Sequence, residues 1–150
     1  MVRETYDAML VELRERAPGA RVDGVLVQEM VPARFELACG LHRDPVFGPI
    51  VAVALGGTLV EILSETVLLR PPFDPGQASA ALSDLLGGRL LREGRGLEEP
   101  ELADLTALMM SLGALALEVP DVVEVDVNPV RVANGAAVAA DALVVIRGTP

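Results

Sequence analysis

The sequence predicts an α+β domain, a mostly antiparallel sheet flanked by helices. Three observations predict it. The early strand-like segments follow one another through turns, as hairpins, with no helix between them. Two helical segments then come together, over residues 77–87 and 100–118. Two last strand-like segments, separated by Asn134 and Gly135, close the chain as a further hairpin. Hairpins give antiparallel neighbours, whereas parallel neighbours need long crossovers.

The elements follow in order. Tyr6, Met9, Leu10 and Leu13 recur at helical spacing with Glu and Arg between them, so residues 4–16 read as an amphipathic helix. Pro18 and Gly19 end it. Residues 24–30 read as a buried strand, broken by Pro32. From Phe35 the pattern alternates, with Phe35, Leu37, Cys39 and Leu41 on one face and Glu36, Ala38, Gly40 and His42 on the other. Residues 44–49 make a turn, and residues 50–55 a third apolar strand, antiparallel to the second. Pro71, Pro72, Pro75 and Gly76 stiffen a loop before the helix over 77–87. The helix over 100–118 carries Leu102, Leu105, Leu108, Met109, Leu112 and Leu115, and Pro120 stops it.

The 150 residues fit one domain, and a 51% hydrophobic content is enough for a core. Aromatics are only 3%, so that core must be Val, Leu and Ala. No apolar run approaches the ~20 residues of a membrane helix, and the first residues lack a signal peptide's apolar stretch. The expectation is a cytoplasmic protein with no membrane partner. The net charge of −10 argues against a nucleic-acid partner, because phosphate backbones need a basic face. All twelve basic residues are arginine, which rules out a P-loop lysine. If phosphates are bound, either arginine or another polypeptide supplies the cation. The single cysteine, Cys39, excludes an internal disulfide and a cysteine-rich zinc site.

The most informative segment is 124–129. Strand alternation sends Glu124, Asp126 and Asn128 one way and Val123, Val125 and Val127 the other. The chain returns after Asn134 and Gly135 and delivers Asp141 to the neighbouring strand. Carboxylate and amide oxygens converging from two strands suit Mg²⁺, which is held by one or two carboxylates plus substrate phosphates. The pattern suggests a nucleotide site. The competing reading is a solvated outer face of an edge hairpin, the commoner place for acidic residues.

Other features are weaker. Glu29, Met30 and Val31, before Pro32, end an apolar strand and could present backbone groups to a planar base; a plain strand end is the bland alternative. Gly56 and Gly57 permit close backbone approach, to a ligand or only to another segment of a tight turn. His42 has no Cys or Asp partner at a recognisable spacing and reads as incidental, and Cys39 reads as a small buried hydrophobe. Arg43, Arg70 and Arg95 sit at loop or strand ends, where each is most simply a surface salt-bridge partner.

Taken in order, these pieces resemble a known family. The run is Gly24-Val-Leu-Val-Gln-Glu-Met30, Glu36, Arg43-Asp-Pro-Val-Phe-Gly-Pro49, Leu55-Gly-Gly57, Val60-Glu61, Leu90-Leu91, Gly94-Arg95-Gly96 and Glu124-Val-Asp-Val-Asn-Pro129 followed by Asp141. It is similar to the ATP-grasp domain of ADP-forming acyl-CoA synthetases, relatives of the succinyl-CoA synthetase β-subunit, over nearly the whole chain. The resemblance implies the C-terminal lobe of that fold, with Mg²⁺ and ATP or ADP as cofactors. Glu29, Met30 and Val31 would lie at the adenine and hinge, and Glu36 at the ribose. Asn128 and Asp141 would ligate Mg²⁺, with Asp126 beside them. Gly56 and Gly57 would form a loop near the transferred phosphoryl group. Such enzymes interconvert acyl-CoA, ADP and phosphate with acid, CoA and ATP, through a histidine on a separate CoA-binding domain or subunit. The resemblance assigns no catalytic residue to this chain, and His42 does not take the phosphohistidine role.

The sequence departs from the family in lacking any lysine. The lysine and glycine-rich loop of the N-terminal lobe are absent, so the implied partners are that lobe and the CoA-binding part. Glu65 stands where the family more often shows aspartate. The alternative reading is a regulatory ATP-grasp module of the kind fused to acetyltransferases, and a third is an assembly piece that docks the absent lobe.

Overall fold

The computed structural model describes residues 2–56, 66–85 and 96–148. It contains two compact units, Met1–Met30 and Val31–Pro150.

The first unit holds helix α1 (Val2–Arg16). Glu4 in its first turn and Arg14 and Arg16 in its last suit the helix dipole, and Arg16 pairs with Glu12 at 2.7 Å one turn away. No residue of α1 is buried. Met9, Leu10 and Leu13 line a groove of about 470 Å³ against Val22 and residues 24–26. Here the expectation of a strand over 24–30 fails: the segment has no ladder partner among the described residues, and Leu26, Val27 and Met30 are 79–87% exposed. Its apolar, β-prone residues favour extension, but a strand exists only where a neighbour accepts its backbone bonds.

The second unit is the α+β domain the pattern predicts. Its strands are β1 (Phe35–Asp44), β2 (Gly48–Leu55), β3 (Thr66–Leu69), β4 (Val122–Ala133), β5 (Ala136–Ala139) and β6 (Ala142–Ile146). Its helices are α2 (Pro75–Asp84) and α3 (Glu99–Glu118). The sheet runs β3-β2-β1-β4-β5, and β6 also pairs with β4. Every pairing among the described strands is antiparallel. β5 lies along Val130–Ala133 of β4 and β6 along Val122–Val127, so the two short strands share one flank of β4.

Local chemistry fixes the corners. Asp44 Oδ1 accepts the Val46 and Phe47 N–H groups at 2.7 and 2.8 Å, closing the turn into β2. Asn134 and Gly135 both take positive φ, 55° and 75°, as a two-residue hairpin requires. Asp74 caps α2 in a capping box with Gln77. Arg43 closes the far end of α3, donating to the Ala116, Val119 and Val122 carbonyls at 2.6–3.0 Å.

The core lies between one sheet face and α2 and α3. Leu37, Cys39, Leu41, Val51, Val53 and Leu55 alternate inward and meet Leu82, Leu105, Met109 and Leu112. Two expectations need correction. Val122, not Val123, is buried, because the β4–β6 register shifts between Val122 and Glu124. The apolar-run estimate also understates α3, whose 20 residues are long and apolar enough to cross a membrane. Its apolar face is accounted for by the core, where Leu105 and Met109 are wholly buried.

Candidate functional site: the open face of the sheet

Among the described residues of the second unit, α2 and α3 pack on one face of the sheet, and the side chains that alternate to the other face are partly or fully exposed. Glu36, Ala38, Gly40 and His42 of β1 alternate with the buried Leu37, Cys39 and Leu41, and so stand on the open face. Ala38 lies opposite Ala54, and Gly40 opposite both Ala52 and Asp126. The middle of this face is therefore a floor of very small side chains. A side chain at Gly40 would press a Cβ to 3.0 Å from the Val125 carbonyl oxygen. Acidic groups border the floor. Asp126 stands beside Gly40, and Glu124 lies opposite His42.

Asn128 follows Asp126 at the same exposed side, at a point where the β1–β4 register slips between Leu37 and Cys39. Its N–H donates to the Asp141 carbonyl at 3.2 Å, and the Ala140 N–H donates to the Pro129 carbonyl at 3.0 Å. Residues 128 and 141 thus lie side by side on neighbouring segments, as the sequence implied. The Asp141 carboxylate accepts the Ala142 N–H at 2.8 Å through Oδ1. Among the described residues no three His, Cys, Asp or Glu side chains gather as a metal cage. Two exposed carboxylates and an amide instead suit a hard cation whose remaining ligands are water and phosphate oxygens.

Three further predicted residues are linked through β1. The Gly56 N–H donates to the Glu36 carbonyl at 2.7 Å, and a Cβ there would lie 3.1 Å from Glu36 backbone atoms. Packing of one strand end on another is thus a sufficient reason for glycine at 56. The Glu36 carboxylate pairs with Arg131 at 2.9 Å, and the same guanidinium donates to the Val31 carbonyl at 2.7 Å. Glu29 and Met30 end the first unit and are exposed there. Gly57, with Val60, Glu61, Glu65, Leu90, Leu91, Gly94 and Arg95, lies outside the described residues.

Of the remaining candidates, Cys39 and Arg43 are structural. Cys39 is buried on the helix side, and burial pushes its thiol up to about 12. Arg43 is spent on the end of α3, and Arg70 is exposed after β3. His42 is exposed on the open face. Sequence reasoning missed Glu101, which is 0% exposed and joins Arg34 at 2.6 Å, the Glu98 N–H at 2.8 Å and the Gly135 N–H at 3.3 Å. It also missed Arg131. Strict alternation puts Arg131 on the core face of β4; it faces Glu36 only because the β1–β4 register slips between Leu37 and Cys39, which no sequence pattern announces.

Comparison with known proteins gives a consistent answer. The ATP-grasp domain family profile matches residues 1–146. The chain is 34% identical over 131 residues to acetate–CoA ligase (ADP-forming) I of Archaeoglobus fulgidus, covering 87% of this chain and 19% of that protein. It is 31% identical over 144 residues to the β-subunit of the corresponding Pyrococcus furiosus enzyme, covering 96% and 62%. Among solved structures, an acetyl-coenzyme A synthetase 1 of Ca. Korarchaeum cryptofilum, with coenzyme A, acetyl-coenzyme A and a phosphorylated phosphohistidine segment, superposes with a TM-score of 0.84 at 30% identity, over 97% of this chain and 65% of that one. The same synthetase with coenzyme A and Mg-AMPPCP gives 0.70 at 30% identity, over 80% and 56%. The chain thus spans less than two thirds of each of these relatives.

Proposed function

The chain belongs to the ATP-grasp domain family, and we propose that it is the nucleotide- and Mg²⁺-holding C-terminal lobe of an ADP-forming acyl-CoA synthetase. The observation that carries the proposal is the open sheet face on which Asp126 and Asn128 stand exposed on one strand, with the Asn128 N–H bonded to the Asp141 carbonyl of the adjacent segment. Asp126, Asn128 and Asp141 would hold the cation. Mg²⁺, when bound, supplies charge neutralisation at the nucleotide phosphates. Glu36 would accept a ribose hydroxyl, and the Val31 backbone would border the base. The small floor of Ala38, Gly40, Ala52 and Ala54 lets a ligand lie close to the sheet.

The reaction is acyl-CoA, ADP and phosphate to acid, CoA and ATP, or its reverse. The phosphoryl group would travel by a histidine outside this chain. The chain's own share is positioning, and no catalytic residue is assigned to it. Catalysis of this kind is largely positioning plus electrostatics, so holding the acceptor nucleotide correctly is a substantive role. A further cation on the phosphates would come from another arginine or from another polypeptide. Among the described residues Arg34, Arg43 and Arg131 are already engaged with carboxylates or carbonyls, and the chain has no lysine.

The test is calorimetry of Mg·ADP binding to the enzyme reconstituted with its lysine-bearing and CoA-binding parts. Asp141→Ala should weaken binding by about tenfold or more, the loss of one charged ligand contact. Unchanged affinity would remove Asp141 from the metal site.

A further inference from the structure

Arg131 touches two of the positions that border the proposed nucleoside site. Its Nη1 donates to the Val31 carbonyl at 2.7 Å, and its Nη2 lies 2.9 Å from Glu36 Oε1. Arg131 and Glu36 are direct partners in the β1–β4 register, and both stand on the open face. The pair is 30% and 29% exposed. An ion pair this open adds little to folding stability by itself. What it does provide is geometry. A planar guanidinium with fixed donors can hold a carbonyl and a carboxylate at once, which an ammonium cannot do as well.

The other partnered arginines of this unit do different work. Arg34 donates to Glu101 and the Gly96 carbonyl near the start of α3, and Arg43 caps its end. Among the described residues, Arg131 ties a carboxylate of the open face to the segment leading into β1. It also places a positive charge where Glu36, Glu124 and Asp126 would otherwise repel a polyanionic ligand.

We propose that Arg131 is a positioning residue for the nucleoside, holding the Glu36 carboxylate and the Val31 carbonyl where base and ribose are read. This rests on the nucleotide-lobe reading above. Glu36 is pinned through one carboxylate oxygen, Oε1. A pinned carboxylate accepts a ribose hydroxyl without first losing side-chain freedom, so affinity and ribose discrimination both depend on Arg131. Loosening it should weaken binding of the ribonucleotide more than that of its 2′-deoxy analogue.

The experiment titrates Mg·ADP and Mg·2′-deoxy-ADP, to millimolar concentration, into the ¹⁵N-labelled 150-residue chain and follows the amides of Glu36, Asp126 and Asn128. In the unmodified chain these amides should shift, with tighter binding of ADP. Arg131→Met should weaken ADP binding by about tenfold, the loss of one charge-assisted hydrogen bond, and should shrink the ADP preference. Arg131→Lys should restore part of both. If the unmodified chain shows no shift at these amides, the nucleotide reading itself falls. If it binds while folded Arg131→Met binds both ligands as before, or weakens for both equally, Arg131 is only a fastener and the proposal is overturned. Should Arg131→Met fail to fold, Glu36→Ala decides: the preference for ADP must shrink there too, and an unchanged preference overturns the proposal.

Discussion

Cys39 and Asp44 lie five residues apart on β1, and their surroundings push their titrations in opposite directions. Burial among aliphatic side chains raises the Cys39 thiol to about 12, which keeps it neutral and unreactive at physiological pH. Asp44 is partly exposed, and its carboxylate is held below the usual range by the Phe47 N–H first and the Val46 N–H second, with a weaker pull from His42. A carboxylate lowered on folding stabilises the fold above its unfolded value, about 4, and loses that contribution as pH falls through the lower folded value. Asp44→Asn keeps the shape of the turn but cannot ionise. Urea unfolding of the two proteins should therefore show the unmodified chain more stable at pH 6, with the gap closing below about pH 4. A gap that stays constant across this range would mean that the ionised carboxylate does not hold the β1–β2 turn.

Glu101 shows how one residue can serve several elements. It sits on the buried face of α3, one turn before Leu105, and links Arg34 ahead of β1, the α3 N-terminus at Glu98 and the β4–β5 turn at Gly135. Replacing it with alanine takes the acceptor from the Glu98 and Gly135 N–H groups and leaves Arg34 with only the Gly96 carbonyl and Glu98. We expect Glu101→Ala to cost about 3 kcal/mol, measured by urea unfolding, as for other buried ion pairs deprived of one partner. A cost within about 0.5 kcal/mol, the range of an ordinary surface change, would show that the network is dispensable. Periodicity alone places a glutamate on the wet side of such a helix, so this network was not legible in the sequence. What alternation and hairpin spacing did make legible were β1, β2, α3 and the β4–β5 return, where pattern, turn chemistry and packing agree. The 24–30 segment and β3 mark the limit. Seven strand-like residues form no ladder among the described residues, while four others, Thr66–Leu69, do so because β2 offers them an edge.

At the scale of the whole molecule, the candidate site was legible where it depends on one strand and its return, as at Asp126, Asn128 and Asp141. It was not legible where it depends on register between distant strands, as at Arg131 and Glu36. The same physical reasoning bears on turnover. A phosphoryl group in transfer needs cationic neutralisation beyond the metal, and the arginines of the second unit with defined partners are tied to carboxylates and carbonyls. The first unit presents Leu26, Val27 and Met30 to solvent on an extended segment without a ladder, apolar surface that a further sheet would cover. The chain spans less than two thirds of its longer relatives. We therefore expect the 150-residue chain alone to form no ATP from acyl-CoA, ADP and phosphate. Adding a lysine-bearing ATP-grasp lobe together with the CoA-binding part should restore turnover, and should protect the amides of residues 24–30 from hydrogen exchange as the segment gains a strand partner. Substantial turnover by the chain alone would overturn the lobe reading, and restored turnover with those amides still unprotected would show that residues 24–30 are not where the added lobe attaches.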